Sequence, residues 1–275
     1  MIDRILPCDC VEGMQRLPDN CIPLTVTSPP YDHVRDYGGD LLDFETFQVI
    51  AQQLHRITCP GGVVVWIVQD QIRRGNETGT SARQKLYFRK VGFRMHSTMI
   101  MISNGVRLPQ PGRYVNQYQY ALVLSKGRPK SVHLLRDRPN STAGERSKGK
   151  VRSRGGQLER RKYAGRVIAQ FGLRSNVWTY EVGWAKSTRD DYAFEHPAVM
   201  PEAMASDHIL SWSRPGDLVF DPFLGSGTTA KMALLNHRRY LGCEVNPQYH
   251  EIAVRRMRDA QCEYRRRLDA WLVGA

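Results

Sequence analysis

A short apolar strand that stops at two consecutive prolines is the most constraining feature of this 275-residue chain. Residues 21–26 (Cys-Ile-Pro-Leu-Thr-Val) predict a buried parallel strand, and Thr27-Ser28-Pro29-Pro30-Tyr31 follow it directly. Because the prolines fix φ and supply no backbone N–H, the chain cannot turn straight into a helix there. A stiff segment at the carboxyl end of a strand lies where open α/β sheets bind their ligands.

The side chains of this segment suggest what it could bind. Ser28 offers a hydroxyl, Pro29 a free carbonyl oxygen and Tyr31 an aromatic face. A flat heterocycle could stack on Tyr31 and donate the two hydrogens of an exocyclic amine to the two oxygens. For an isolated Pro-Pro pair, an ordinary turn at the end of a strand would be the better interpretation.

A second segment far downstream strengthens the ligand interpretation. Residues 217–229 predict a strand, a glycine-rich turn and a helix start, with Gly225 and Gly227 in the turn. We expect Thr228 or Thr229 to cap the helix that follows. Only two glycines are present and no Lys-Ser/Thr pair follows them, so neither a dinucleotide fingerprint nor a P-loop is complete.

A third segment, residues 240–245, predicts the next strand and ends near the acidic Glu244. A carboxylate at this position suits the two hydroxyls of a ribose. Together with the glycine-rich turn, it favours a nucleoside cofactor without a pyrophosphate.

These segments resemble the β class of S-adenosylmethionine-dependent DNA amino-methyltransferases. Ser28-Pro29-Pro30-Tyr31 is similar to the catalytic motif of that class, and Phe223-x-Gly225-x-Gly227 is similar to its cofactor motif. The catalytic motif precedes the cofactor motif, as in the β class. The serine form of the catalytic motif is typical of cytosine-N4 enzymes, whereas adenine-N6 enzymes usually carry aspartate there.

The resemblance implies a fold and a set of site residues. The fold would be a Rossmann-like α/β sheet, mostly parallel with one antiparallel strand, in circularly permuted motif order. Asp9 would contact the adenine ring of the cofactor, although a helix N-cap is nearly as good an interpretation. The remaining cofactor-binding residues would be His196, Pro197, Ala198, Asp221, Phe223, Gly225, Gly227, Thr228, Thr229 and Glu244.

Positive charge is concentrated in one part of the chain. Residues 126–166 hold fourteen Lys and Arg against three acidic residues, which gives this stretch a net charge of +11 out of +13. It could be a solvated loop, but its place between two matched motifs favours a DNA-binding target-recognition insertion. We therefore expect a catalytic half at 1–126, the insertion at 127–175 and a cofactor-binding half at 176–275. The expected DNA-binding residues are Arg136, Arg138, Arg146, Lys148, Lys150, Arg152, Arg154, Arg160, Arg161 and Lys162.

Other patterns predict the scaffold. Residues 43–57 have helical spacing, Pro60-Gly61-Gly62 predicts a turn into a strand at 63–68, and 71–85 predicts a polar loop. Asn246-Pro247 predicts the start of a long C-terminal helix. Its basic face is expected to be solvated, and consists of Arg255, Arg256, Arg258, Arg265, Arg266 and Arg267.

Composition limits the location and the partners. The sequence predicts neither a membrane span nor a secretory signal, so we expect a cytoplasmic protein of bacterial or phage type. Six cysteines without paired spacing predict neither a metal site nor a disulfide framework. Duplex DNA is the expected partner, and the sequence leaves open a homodimer and a cognate restriction endonuclease.

The sequence thus predicts a DNA cytosine-N4 methyltransferase that acts on a flipped base. Adenine-N6 methylation remains the first alternative. An RNA amino-methyltransferase and a non-catalytic nucleic-acid-binding protein on the same fold are the others. The recognition sequence is left open, because base readout depends on a few side chains in the insertion.

Overall fold

The computed structural model describes residues 2–30, 42–105, 111–160 and 162–273. The first elements are β1 (Arg4–Leu6), α1 (Cys10–Gln15), β2 (Ile22–Thr27), α2 (Phe44–Ile57), β3 (Thr58–Val68), β4 (Ile72–Arg73), β5 (Asn76–Glu77), α3 (Thr80–Val91), β6 (Arg94–Ser103) and β7 (Tyr118–Ser125). They are followed by β8 (Arg138–Pro139), β9 (Lys150–Arg152), β10 (Leu158–Arg160), β11 (Phe171–Gly172), β12 (Val177–Tyr180), a 3₁₀ helix (Asp191–Glu195), α4 (Glu202–Trp212), β13 (Leu218–Asp221), α5 (Thr228–Leu235), β14 (Arg239–Cys243) and α6 (Pro247–Val273).

Among the described residues, eight strands form one sheet in the order β1-β14-β13-β2-β3-β7-β6-β12. Strand β7 pairs antiparallel with both of its neighbours, and the other pairs are parallel. The predicted mostly parallel sheet with one antiparallel strand is confirmed. Because the parallel strands all end at one edge, the segments after β2, β13 and β14 lie side by side.

Helices cover the sheet on both faces. In β3 the residues from Val63 to Val68 are all 1% exposed or less, so both faces of this strand are covered. On one face the Trp66 ring packs edge-on against Phe47 of α2 and Phe88 of α3, at centroid distances of 5.7 and 5.3 Å. Helices α4, α5 and α6 contact one another and the strands from β2 to β1.

Two local predictions of the scaffold were wrong. The predicted turn at Pro60-Gly61-Gly62 lies inside β3, because Thr58 already pairs with Ile22 of β2 and the register then shifts at a bulge. The predicted polar loop at 71–85 holds the β4–β5 hairpin and the first residues of α3. Asp70 accepts hydrogen bonds from the backbone and hydroxyl of Ser81, which tie the start of α3 to the end of β3.

The predicted N-terminus of the last helix is confirmed. The Asn246 side chain accepts hydrogen bonds from the backbone N–H groups of Gln248 (2.9 Å) and Tyr249 (3.4 Å), and Pro247 is the first helical residue. Within the described residues, no helix is both long enough and apolar enough to cross a membrane.

Residues 134–175 form a compact unit of their own, separate from the unit made of 1–133 and 176–275. Within it, β8 pairs antiparallel with β11, Arg146 bridges to Val167, and β9 pairs antiparallel with β10. These nested pairs make one two-stranded ribbon, which we call the basic ribbon. The predicted domain boundaries at residues 126 and 175 stay predictions.

Candidate active site and cofactor pocket

The carboxyl ends of three adjacent strands bring the predicted site residues together. Ser28 and the two prolines follow β2, the glycine-rich turn follows β13, and Glu244 follows β14. Pro29 is buried, and Ser28 and Pro30 are half-buried. Tyr31 lies outside the described residues, so its stacking role stays a prediction.

A buried carboxylate joins the end of β2 to the glycine-rich turn after β13, which we call the cofactor turn after its predicted role. The Thr27 hydroxyl donates to Asp221 at 2.6 Å, and the Phe223 backbone N–H donates to the same oxygen at 3.0 Å. Burial raises the pKa of Asp221 to about 6, against the opposing effect of hydrogen bonds from Thr27, Thr229 and Phe223. The ring of Phe223 packs edge-on towards Trp66, 6.1 Å away, so it helps to anchor the turn to the core.

This raised pKa predicts a measurable pH dependence of stability. In the folded state Asp221 holds its proton up to about pH 6, whereas an unfolded aspartate loses it near pH 4. The folded state therefore binds more protons in this window, and stability falls as the pH rises through it, by about 3 kcal/mol. We expect Asp221→Asn, which keeps an oxygen acceptor but has no charge, to lose this component.

Urea unfolding of both proteins from about pH 4 to about pH 7 measures the difference. The native protein should lose stability relative to Asp221→Asn as the pH rises. Parallel pH profiles would contradict a raised pKa at Asp221.

Glu244 is fixed by backbone donors and keeps room for further ones. Its two carboxylate oxygens accept hydrogen bonds from the backbone N–H groups of Gly225 (2.7 Å) and Asn246 (2.9 Å). Each carboxylate oxygen can accept a second hydrogen bond, so the pair suits two neighbouring hydroxyls. Burial raises the pKa of Glu244, while the two N–H donors act in the opposite direction. Val245 beside it is 68% exposed, an apolar surface that the sequence analysis missed.

The glycine-rich turn requires glycine at both predicted positions. Gly225 and Gly227 have φ angles of +52° and +87°, which side chains rarely adopt. A Cβ on Gly225 would lie 2.9 Å from His196 Nε2, and one on Gly227 would lie 3.2 Å from Ala253. The absence of side chains thus lets the turn pack closely against His196 on one side and α6 on the other.

The predicted threonine cap of α5 was wrong, because Gly227 is the N-cap and no side chain caps the helix. The two hydroxyls bind other segments. Thr228 donates to the Met200 carbonyl at 3.4 Å, and Thr229 donates to the Val26 carbonyl at 3.3 Å. Thr229 thus makes a second link between the cofactor turn and β2.

His196 lies against the glycine-rich turn, and its predicted contact with the cofactor stays a prediction. The Ala198 backbone N–H donates to His196 Nδ1 at 3.1 Å, and the imidazole packs edge-on against Tyr249 at 4.3 Å. His196 Nδ1 also lies 3.0 Å from the Ala198 carbonyl, so both backbone groups of Ala198 hold this side of the ring. Pro197 is exposed beside this wall of the pocket.

Asp9 lies at the same edge of the sheet, after β1, which pairs with β14. Its carboxylate caps α1 and accepts hydrogen bonds from the backbone N–H groups of Val11 (2.7 Å) and Glu12 (3.4 Å). The structure thus supports the capping interpretation of Asp9, and a contact with adenine stays a prediction.

A family of proteins described as DNA methylases matches residues 22–255 of this chain, which include the segments after β2, β13 and β14. The chain belongs to the N6/N4 family of DNA methyltransferases.

This methyltransferase is similar to curated proteins and to solved structures of the same kind. The orphan methyltransferase M.BamHII of Bacillus amyloliquefaciens is 47% identical over 247 residues, covering 89% of this chain and 92% of that protein. The DNA adenine methyltransferase YhdJ of Escherichia coli K12 is 26% identical, over 90% of this chain and 80% of YhdJ. The solved PvuII DNA methyltransferase, described as cytosine-N4-specific, has the same fold with a TM-score of 0.69 at 19% identity, over 98% of this chain and 93% of that chain.

The cofactor of the methyltransferase is S-adenosyl-L-methionine, with which structures of this fold have been solved. The residues after β14 fit this group in two respects. Glu244 has acceptors left for ribose hydroxyls, and Val245 offers an exposed apolar surface for a flat ring.

The fit predicts the effect of changing the carboxylate. Glu244→Gln is expected to raise the dissociation constant of S-adenosyl-L-methionine about 10- to 100-fold, because hydrogen bonds to a charged acceptor contribute about 1.5–3 kcal/mol. Calorimetric titration measures it, with the exposed Glu45→Gln as the matched control. An unchanged constant in Glu244→Gln would remove the ribose assignment.

One arginine of the methyltransferase was predicted wrongly. Arg256 was expected on the solvated face of α6, but its side chain is 0% exposed. It donates to Asp190 and Glu202, both at 2.7 Å, and to Thr228 Oγ1 at 2.8 Å. It also reaches the Ser226 carbonyl at 3.2 Å, so this guanidinium lies directly behind the glycine-rich turn.

Lys231 of α5 completes the cluster, 2.7 Å from Asp190 and 2.8 Å from Glu202. Burial raises the pKa values of both carboxyls, but hydrogen bonds and the charges of Lys231 and Arg256 outweigh it and hold both pKa values below their usual range. The cluster joins four parts of the chain. They are the segment before His196, the start of α4, the cofactor turn and helix α6.

Proposed function

We propose that this methyltransferase transfers a methyl group from S-adenosyl-L-methionine to the exocyclic N4 of a flipped cytosine in duplex DNA. The observation that carries the proposal is Ser28, in the form of the motif typical of cytosine-N4 enzymes, at the end of β2 and next to the cofactor turn. Thr27 and Asp221 couple this strand end to the turn through their 2.6 Å hydrogen bond.

The proposed chemistry needs geometry rather than a strong base. S-adenosyl-L-methionine supplies an electrophilic methyl group when bound. The amine of cytosine is a weak nucleophile, because its lone pair is delocalised into the ring. Hydrogen bonds from this amine to the Ser28 hydroxyl and the Pro29 carbonyl would favour a tetrahedral nitrogen whose lone pair points away from the ring. Ser28 need not remove a proton, since the proton can leave after the transfer.

The target base must leave the duplex to reach this segment, at a cost of a few kcal/mol. Stacking on Tyr31 would return about 1–3 kcal/mol of that. The two prolines keep the acceptor oxygens in place when no base is bound, so little ordering is needed when it arrives.

The basic ribbon supports duplex DNA as the substrate. The major groove of B-DNA admits a two-stranded β-ribbon, and the ribbon of residues 134–175 has this form. Its predicted DNA-binding side chains are exposed, apart from Arg161, which lies outside the described residues. The exposed ones are Arg136, Arg138, Arg146, Lys148, Lys150, Arg152, Arg154, Arg160 and Lys162. We propose that they contact phosphates and base edges.

Adenine-N6 methylation is the second candidate, and the similarity to the adenine methyltransferase YhdJ favours it. Both bases present an amine to the same two acceptors. The residue at position 28 is the feature that discriminates between them, since aspartate is usual in adenine-N6 enzymes.

Mass analysis of nucleosides tests the proposal. Unmethylated duplex DNA is incubated with the protein and S-adenosyl-L-methionine and then digested, with a reaction lacking the cofactor as control. We expect a mass gain of one methyl group on deoxycytidine, eluting as the N4 isomer. A gain on deoxyadenosine would overturn the base assignment and keep the reaction class. A gain on neither would direct the search to RNA and then to a non-catalytic binding function.

A further inference from the structure

A cavity of about 650 Å³ lies at the edge of the sheet opposite the candidate active site, where the parallel strands begin. It is lined by Arg94 at the start of β6, Ser125 at the end of β7, the segment 127–133 and Arg214. We call it the amino-end groove. Arg94 pairs with Ser125, whereas Ile102 pairs with Tyr118 at the catalytic edge. Eight residues of strand separate these pairs, a distance of about 26 Å.

The lining of the amino-end groove is basic. Arg94, Arg128, Lys130 and Arg214 contribute four charges, His96 and His133 add two imidazoles, and no carboxylate is among the lining residues. Asp217, in the same turn as Arg214, accepts a hydrogen bond from the Arg214 backbone N–H at 2.7 Å. Over the described ranges, none of the four cationic side chains forms an ion pair.

The wall that carries Arg128 and Lys130 is held in place by the sheet. Gly61 N–H donates to the Lys126 carbonyl at 2.6 Å, and Lys130 N–H donates to the Gly61 carbonyl at 3.0 Å. A Cβ on Gly61 would lie 2.4 Å from Lys130 Cγ, so the stem of this lysine packs directly on the glycine. His133 N–H donates to the Ser211 carbonyl at 2.8 Å and fixes the other end of the segment.

The opposite wall is equally ordered. Arg238 donates to the Ser213 hydroxyl at 3.0 Å and to the Ser213 carbonyl at 2.8 Å, which fixes the backbone before Arg214. The His96 ring packs edge-on against Trp212 at 5.2 Å. The cationic side chains therefore project from a rigid frame, although they are themselves exposed.

This combination suits a polyanion more than a small ligand. Pockets for small molecules are mostly apolar with a few polar groups, whereas this groove is open and has six basic side chains. Arginine and lysine without carboxylate partners bind phosphates, and several in one groove suit a phosphodiester chain. The anionic polymer on which this family acts is DNA.

We propose that the amino-end groove binds backbone phosphates of DNA outside the segment that carries the target base. The proposal rests on the DNA-methylating activity of the family and is independent of the methylated base. A site about 26 Å from the catalytic edge corresponds to about 8 base pairs of duplex. Flanking DNA held there would keep the enzyme on its substrate without taking part in base recognition.

The test uses a fourfold variant (Arg94→Gln, Arg128→Gln, Lys130→Gln and Arg214→Gln) and two duplexes that share one methylation site. A duplex of about 12 base pairs extends about 20 Å to each side of its centre, too short to reach the groove, whereas one of about 40 base pairs extends well past it. Transfer of a labelled methyl group is measured, because the label reports cytosine and adenine alike.

We expect the fourfold variant to raise the KM of the long duplex on the order of 100-fold at low salt. For the short duplex, both kcat and KM should stay unchanged. The dependence of log KM on log salt for the long duplex should become shallower by about 3 to 4, since four phosphate contacts are lost. Fluorescence anisotropy of the long duplex gives the same comparison without turnover, so an inactive protein would count against the proposed function and not against the groove.

The matched control removes four exposed arginines from helices α3 and α6 (Arg89→Gln, Arg258→Gln, Arg265→Gln and Arg266→Gln). It has the same net charge as the fourfold variant and should leave both KM values near those of the native protein. The proposal would be overturned if the control raised the KM of the long duplex as much as the fourfold variant does. It would also be overturned if the fourfold variant raised the KM of both duplexes equally, or of neither. A loss of affinity that is confined to RNA would overturn it as well.

Discussion

Replacing Arg256 by methionine is expected to lower the free energy of unfolding by about 3–5 kcal/mol. The side chain is fully buried between Asp190 and Glu202, and removing it leaves two half-buried carboxylates with Lys231 as their remaining cation. Because Arg256 also holds the Ser226 carbonyl and the Thr228 hydroxyl, the dissociation constant of the cofactor should rise as well.

Urea unfolding and calorimetric titration measure the two effects. The matched control is Arg258→Met, two residues further along the same helix and exposed, which should change the stability by less than about 0.5 kcal/mol. Arg256→Lys keeps the charge but cannot span all the acceptors, so it should recover part of the stability and little of the cofactor affinity. Equal stabilities of Arg256→Met and Arg258→Met would refute the structural role of the cluster.

Replacing Ser28 by alanine is expected to lower kcat about 100- to 1000-fold. The substitution removes one oxygen that we propose accepts a hydrogen bond from the target amine, and such preorganised contacts contribute about 3–4 kcal/mol to lowering the barrier. The cofactor dissociation constant should not change, because Ser28 is not among the proposed cofactor contacts. Single-turnover methyl transfer and calorimetric titration separate the two quantities.

Ser97→Ala, on a half-buried serine of β6, is the matched control and should keep native turnover. If Ser28→Ala also kept native turnover, the proposed positioning of the amine would be wrong. A change in the cofactor constant without a change in kcat would place Ser28 in the cofactor pocket instead.

The sequence predicted the parts of the site that depend on local rules. Two prolines after a run of apolar residues mark the end of β2, and paired glycines mark a turn whose φ angles are positive. Because the strands are parallel, segments after their carboxyl ends had to meet at one edge. The start of α6 followed in the same way from Asn246-Pro247.

The errors share a dependence on distant contacts. On periodicity alone Arg256 belongs to a charged helix face, and its partners Asp190 and Glu202 lie 66 and 54 residues away in the sequence. The turn predicted at Pro60-Gly61-Gly62 lies within β3 because β2 pairs with the residues on both sides of it, Thr58 and Val63. Composition predicted the charge of the basic ribbon but not its antiparallel pairing, since exposed polar strands specify register weakly.

The two hydrogen bonds between β2 and the cofactor turn have a consequence for how tightly the enzyme binds its two ligands. Thr27 is tied to Asp221, and the Val26 carbonyl to Thr229, so a ligand that restricts the turn also restricts the end of β2. Thermodynamic linkage is reciprocal: the factor by which one ligand tightens the binding of a second is the factor by which the second tightens the first. Through these links, a flipped base held after β2 and a nucleoside held after β13 would each lower the dissociation constant of the other by the same factor.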